Sequence, residues 1–103
     1  MESGCEILIV GAGITGLAAA RELSRRGHSG ITIIEKEAST GAHASGRNSG
    51  ILHAGIYYPA GSNKAAYCVT GGRLMKEFCR EKGLTLVESG KVVVPGSPDK
   101  DYL

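Results

Sequence analysis

Paired cysteine is lacking. The three cysteines, Cys5, Cys68 and Cys79, form neither a Cys-x-x-Cys motif nor an even set, which excludes a disulfide framework and an iron-sulfur signature. Cys68 and Cys79 stand eleven positions apart in a segment that reads as helix. At 1.5 Å per residue that is about 16 Å along the axis, too far for a bridge, so all three are read as reduced thiols. His28, His43 and His53 have no metal-ligand spacing with one another or with a cysteine, so no metal is expected. Charge of one sign is also lacking. The formal net charge is +2, and Arg21, Arg25, Arg26, Lys64, Arg73, Lys76, Arg80 and Lys82 are dispersed, leaving no basic stripe for a nucleic acid. The most apolar stretch, Cys5 to Ala20, carries Glu6 and three glycines without a basic leader, and reads neither as a membrane span nor as a signal peptide. Internal repeats are absent. At 103 residues the chain is about half or less of what a complete dinucleotide-dependent enzyme needs.

What is present begins with glycine. Gly11-Ala12-Gly13-Ile14-Thr15-Gly16 lies between an apolar run, Ile7 to Val10, and a helix-like one, Leu17 to Leu23. Glu35 follows nineteen positions after Gly16, at the end of the next apolar run. This is a dinucleotide-binding fingerprint in a strand-helix-strand setting. Gly11 allows the tight turn, Gly13 leaves room for a pyrophosphate against the backbone, and Gly16 lets helix and strand pack closely. Amides at the helix start, helped by the helix dipole, suit the phosphate charge. A carboxylate at position 35 suits ribose hydroxyls and argues against a 2′-phosphate. Glycine-rich turns of this kind also occur in sheets that hold no nucleotide, and the fingerprint alone admits either NAD or FAD.

The fold class expected is α/β. A first strand over Glu6 to Val10, rich in branched residues, reads as a buried parallel strand. A helix follows from Ile14 to Arg26, ended by Gly27. A second strand over Ile31 to Glu35 should lie parallel to the first by the right-handed crossover rule. Residues 38 to 61 form a long Gly- and Ser-rich loop, in which a short helix could start near Ser49. Loops of that length usually carry function. Ser62 is placed to cap a second helix, Asn63 to Lys82, with Gly83 as its stop and Gly71-Gly72 weakening its middle by about 2 kcal/mol relative to alanines. Leu84 to Val87 and Lys91 to Val94 read as a short hairpin, closed by Pro95, with a turn or connection over residues 96 to 101. Residues 1–83 are thus taken as the first part of a nucleotide-binding domain, and 84–103 as the start of a sheet leading elsewhere. The fingerprint opens almost at Met1, so no transit peptide is expected and the expected location is cytoplasmic.

The loop carries a second motif, Ser45-Gly46-Arg47-Asn48-Ser49-Gly50-Ile51-Leu52-His53-Ala54-Gly55-Ile56-Tyr57-Tyr58-Pro59. Such a loop can offer backbone amides to phosphates or to the polar edge of a ring, or its Gly and Ser can simply make turns. At these residues the sequence resembles the D-amino-acid-oxidase-like group of FAD-dependent oxidoreductases. More narrowly, Gly46 to Gly50, His53 to Pro59, Gly61-Ser62-x-Lys64-Ala65 and Gly90-Lys91 resemble L-2-hydroxyglutarate dehydrogenases and oxidases.

That resemblance implies a Rossmann-type start of an FAD-binding domain, an incomplete fold covering about the first quarter of such an enzyme. It implies FAD as cofactor, with Gly11, Gly13, Thr15 and Gly16 at the pyrophosphate, Glu35 at the adenosine ribose and Lys36 bordering the adenine. Ser45, Arg47, Asn48, Ser49 and Gly50 would line the pyrophosphate and the flavin ring. His53 is the catalytic candidate, placed to stabilise negative charge or to shuttle a proton near working pH; a histidine bonded within its own loop is the alternative. Tyr57 and Tyr58 read as packing residues. The implied reaction oxidises an L-2-hydroxy acid to a 2-oxo acid, a small-molecule substrate held by a longer parent protein, with electrons passing on from the flavin to oxygen, a quinone or another acceptor. A peripheral membrane or quinone contact fits that scheme, as does self-association through an exposed sheet edge. Half a site implies that this chain alone is inactive. A flavin oxidase acting on amino acids or sarcosine, or a non-catalytic nucleotide-binding or interaction module, are the competing readings.

Overall fold

The computed structural model describes residues 4–94; the expected closing proline and the turn after it lie outside them. The chain forms two compact units, Met1–Ile51 and Leu52–Leu103.

In the first unit, branched residues at every position of Ile7–Val10 and of Ile31–Ile34 form strands β1 and β2. They pair in parallel, with Ile7 opposite Ile31 and Val10 opposite Ile34. Parallel neighbours need a crossover, and helix α1, Ile14–Arg25, supplies it. The helix ends where Gly27 turns to φ 88°. There the Gly27 N–H donates to the Ser24 carbonyl (3.0 Å) and the His28 N–H to that of Leu23 (3.1 Å), which satisfies two carbonyls left over by the last turn. Glu22 adds exposed ion pairs to Arg25 and Arg26.

Burial alternates along both strands. Ile7, Ile9, Ile31 and Ile33 are half-buried on one face, while Leu8, Val10, Thr32 and Ile34 are exposed on the other. The expectation of a fully buried parallel strand is therefore corrected: among the described residues of this unit one helix covers one face, and no element covers the second. Both strands also stop one residue short of expectation. Glu6 precedes β1 and donates its N–H to the Gly30 carbonyl (3.1 Å), whereas Glu35 follows β2 and turns its carboxylate back toward the glycine turn.

The second unit is built on helix α2, Asn63–Lys82. The Ser62 hydroxyl oxygen accepts from the Ala65 N–H (3.2 Å) and donates its proton to the Pro59 carbonyl (2.7 Å). Gly83, in the left-handed conformation, ends the helix as expected. Replacing Ser62 by Ala is expected to lower the unit's stability by about 1 kcal/mol, the ordinary value of such a cap, read as a lower urea midpoint of the helical circular dichroism signal.

Helix α2 runs unbroken through Gly71-Gly72 because the preceding loop lies against it. Gly55 is buried, and a Cβ there would come within 3.3 Å of Cys68 Cβ and Val69 Cγ2, while one on Gly72 would approach the His53 carbonyl at 3.7 Å. Small residues on this face admit the loop backbone, and that packing offsets the weak intrinsic propensity of two glycines.

The expected hairpin does not form: residues 84–94 contain no strand. Glu88, which was to sit in its turn, pairs instead with Lys76 (3.0 Å) and Arg80 (2.9 Å) on α2. An isolated two-stranded hairpin is marginal in water, and no third strand of this unit supports one among the described residues. The three thiols are free, as expected.

Candidate functional site

The carboxyl ends of β1 and β2 open into a cleft of about 540 Å3, lined by Val10, Gly11, Gly13, Ile34, Glu35, Lys36 and residues 41 to 45. This is where ligands bind in open parallel sheets, outside the strand ends. Its floor is the glycine turn. Gly11 adopts φ 101°, a conformation that side chains resist, and a Cβ there would meet nothing within 4 Å, so the space above the turn is open. Gly16, one turn into α1, has the opposite surroundings. A Cβ on it would overlap the Gly11 carbonyl oxygen and crowd Ile9 Cγ2 at 3.2 Å. Both assignments made from the spacing of the fingerprint hold.

Segment 35–45 clamps this turn at three points. The Ala12 N–H donates to Glu35 Oε2 (2.7 Å). The Ala12 carbonyl accepts from the Gly41 N–H (3.0 Å). The Ile14 N–H, in the first turn of α1, donates to the Ser45 hydroxyl oxygen (2.9 Å). Ala12, only 3% exposed, has both its backbone groups engaged, as buried polar groups require. Gly13 starts α1 without a side-chain cap of its own, and Ser45 takes that place from a distant point in the chain.

Glu35 has a second role in the same geometry. Its other oxygen accepts from the Glu37 N–H (3.0 Å). The Ala12 N–H, then that of Glu37, with that of Lys36 adding to them, hold its carboxyl below the ordinary value. A carboxylate has about four lone-pair positions, so two backbone bonds leave room for ribose hydroxyls.

The cleft brings together Gly11, Gly13, Glu35, Lys36 and Ser45 of the candidates named from sequence, with Gly16 directly beneath. Thr15, in the first turn of α1, and Arg47 are exposed and outside the lining. Asn48 organises the loop: its amide nitrogen donates to the carbonyls of Ala44 (3.1 Å) and Ser45 (2.9 Å), and its oxygen accepts from the Gly50 N–H (2.8 Å). Ser49 accepts from the Ile51 N–H (3.4 Å). The short helix foreseen near Ser49 is instead a single 3-10 turn at Ala44–Gly46; the Asn48 side chain holds the Ala44 and Ser45 carbonyls and so fixes the turn upstream. His53 lies in the second unit, exposed, its carbonyl accepting from the Cys68 thiol (3.5 Å).

Sequence reading missed Glu37, Gly41 and His43. His43 Nε2 lies 2.8 Å from Glu37 Oε1, and Lys36 Nζ lies 3.5 Å from the same oxygen. A glycine and a histidine six to eight residues past the strand-end acid were the available signal, hidden in a segment already crowded with glycine.

The open turn over Gly11, the first-turn amides that any helix leaves without an intrahelical partner, and an ionised carboxylate at the strand end fit the adenosine diphosphate half of a dinucleotide without a 2′-phosphate. Residues 6–103 match the family described as FAD dependent oxidoreductase. The chain is 46% identical over 93 residues to the mitochondrial L-2-hydroxyglutarate dehydrogenase of Homo sapiens, covering 89% of this chain and 20% of that protein. Over 89 residues it is 44% identical to the mitochondrial L-2-hydroxyglutarate dehydrogenase of Arabidopsis thaliana, covering 86% of this chain and 18% of that one. The L-2-hydroxyglutarate dehydrogenase of Escherichia coli (strain K12) is 39% identical over 93 residues, at 89% and 22% coverage. The chain thus spans about a fifth of the length of the curated relatives it matches.

Proposed function

The chain belongs to the FAD dependent oxidoreductase family, and we propose that its cleft holds the adenosine diphosphate half of FAD in a protein that oxidises an L-2-hydroxy acid, L-2-hydroxyglutarate, to the 2-oxo acid. One observation carries the cofactor reading: the glycine turn, the Glu35 carboxylate and the Ser45 hydroxyl meet in one cleft at the strand ends. The names and identities of the relatives support the substrate.

FAD when bound supplies the two-electron acceptor. The residues of this chain supply the hold. First-turn amides of α1 face the pyrophosphate charge. Ser45 accepts from Ile14 and keeps its own proton to donate to a phosphate oxygen. Glu35 takes the ribose hydroxyls on the lone pairs that Ala12 and Glu37 leave open. Asn48 keeps the loop from Ala44 to Gly50 in shape. His53 is the residue proposed to face flavin and substrate in the longer protein.

With about a fifth of its relatives' length, the chain by itself is proposed to be inactive. Dye reduction with L-2-hydroxyglutarate tests both parts. A longer reading frame that begins with this sequence is expected to reduce the dye with the L- and not the D-isomer, and the 103-residue chain with neither. Turnover of an amino acid or sarcosine in place of the hydroxy acid would overturn the substrate. Absence of flavin from the longer protein would overturn the cofactor.

A further inference from the structure

The cleft has a wall that neither the fingerprint nor the phosphate loop accounts for. Past the end of β2 the chain turns through Lys36 and Glu37, and the returning loop brings His43 into the lining. Its imidazole is fixed at Nε2 by Glu37 Oε1 at 2.8 Å, and Lys36 Nζ stands 3.5 Å from the same oxygen. Both side chains are well exposed, His43 by 57% and Glu37 by 40%. An exposed pair of this kind adds little to stability. What it does is hold a flat ring in one orientation at the rim of a ligand-sized cleft.

Position in the cleft says which part of a ligand the ring meets. Ser45, bonded to the start of α1, marks the pyrophosphate end, and Glu35 marks the ribose. His43 precedes Ser45 by two residues and is tied to Glu37, two residues past Glu35 at the end of β2. Segment 43–45 thus runs from the β2 side of the cleft to the start of α1, and His43 stands on the β2 side, where a base attached to a ribose held by Glu35 would extend away from phosphates at the helix start. The neighbouring lining is apolar or small, with Val10, Ile34, Ala42 and Ala44, which suits the faces of a purine. Among the described residues His43 is the one ring in the lining.

We propose that His43, oriented by Glu37, is the platform on which the adenine of the bound dinucleotide rests. The inference deepens the cofactor reading above and rests on it. Base stacking on an aromatic side chain is lost on truncation to alanine by about ten- to a hundredfold in affinity at most sites of this kind. Ring area sets the effect, so phenylalanine should substitute for histidine.

The test is titration of the 103-residue chain by calorimetry with ADP and with ribose 5-phosphate, which lacks the base. His43→Ala is expected to weaken ADP about tenfold or more and to leave ribose 5-phosphate unchanged. His43→Phe, which keeps a ring without the bond to Glu37, is expected to restore ADP to within about threefold, and Glu37→Ala, which likewise frees the ring, to cost no more than about threefold. Circular dichroism and a urea midpoint matching the wild type show that the variants are folded; a midpoint shift in His43→Ala large enough to explain the loss overturns the platform role in favour of a structural one. If His43→Ala binds ADP like the wild type while Glu35→Ala does not, this inference falls and the cofactor reading stands. If the wild type takes up neither ligand at millimolar concentration, both fall together.

Discussion

Gly16→Val is expected to unfold the first unit and to abolish nucleotide binding with it. A Cβ at position 16 overlaps the Gly11 carbonyl oxygen, a backbone atom in a turn held at Ala12 by Glu35 and Gly41, and crowds Ile9 Cγ2 at 3.2 Å. Neither neighbour can swing away as a flexible side chain would. Overpacking of this sort costs typically about 1–3 kcal/mol and more where backbone must move. Small domains have only about 5–15 kcal/mol in total, and a unit with a single buried apolar residue among its described positions, Ala12, stands at the low end. Gly71→Ala is the contrasting substitution: in the middle of α2, a Cβ there meets nothing within 4 Å. That change should raise stability by up to about 1 kcal/mol through helix propensity. Urea melts followed by circular dichroism compare the two, with ADP titration as the second readout for Gly16→Val. A Gly16→Val chain that melts and binds like the wild type would remove the close-packing role.

The βαβ unit was legible because each of its signals is local. Branched runs, a glycine turn at fixed offsets, a glycine after the helix and a parallel crossover are set by neighbours in sequence, and Ile7–Val10, Ile14–Arg25 and Ile31–Ile34 each stand within one residue of where those signals put them. Ser62 and Gly83 bounded α2 for the same reason. The failures are where a distant partner decides. Leu84 to Val87 and Lys91 to Val94 have strand composition, but a hairpin needs a further strand or a covered face, and Glu88 finds two cations on α2 instead. Likewise, period and composition made β1 a buried strand, yet burial depends on what covers it, and one helix covers one face.

The site divides along the same line. Gly11, Gly13, Gly16 and Glu35 follow from the geometry of strand, turn and helix, and the structure gathers them at one cleft. The partners of the glycine turn were not legible. That Gly41 would bond Ala12, that Ser45 would cap a helix thirty-one residues upstream, and that His43 would seat on Glu37 are tertiary facts about how a glycine-rich segment folds back. Asn48 shows the converse. Expected from the resemblance to line the cofactor, its side chain also bonds the backbone of its own loop at Ala44, Ser45 and Gly50, a holding role that composition does not announce.

Removing the Glu35 side chain has the largest effect expected on binding itself. In Glu35→Ala the glycine turn loses its Ala12 anchor and the ribose loses its acceptor at once, so ADP affinity should fall on the order of a hundredfold, as befits charge-assisted bonds lost together. The pH dependence has a definite sign. Ala12, then Glu37 and Lys36, hold the Glu35 carboxyl below its ordinary value through their backbone N–H groups. A carboxylate of lowered pKa contributes fully above its unfolded value and loses that contribution as pH falls through its folded value. The Glu35 contribution to ADP affinity, read as the ratio of wild type to Glu35→Gln so that titration of the terminal phosphate cancels, should thus hold through neutrality and decline only in acid below the ordinary carboxylate range. Glu35→Gln keeps the size, places an amide donor where one of the two N–H bonds was accepted, and has no proton to gain, so its weaker binding should lack that part of the acid decline. The same charge opposes a 2′-phosphate. Wild type should prefer ADP over 2′-phosphorylated ADP, and Glu35→Gln should narrow that preference by weakening the first ligand and relieving the second. Equal narrowing in Lys36→Ala, with Glu35 intact, would assign the discrimination to the wrong side chain and overturn this account of the strand-end acid.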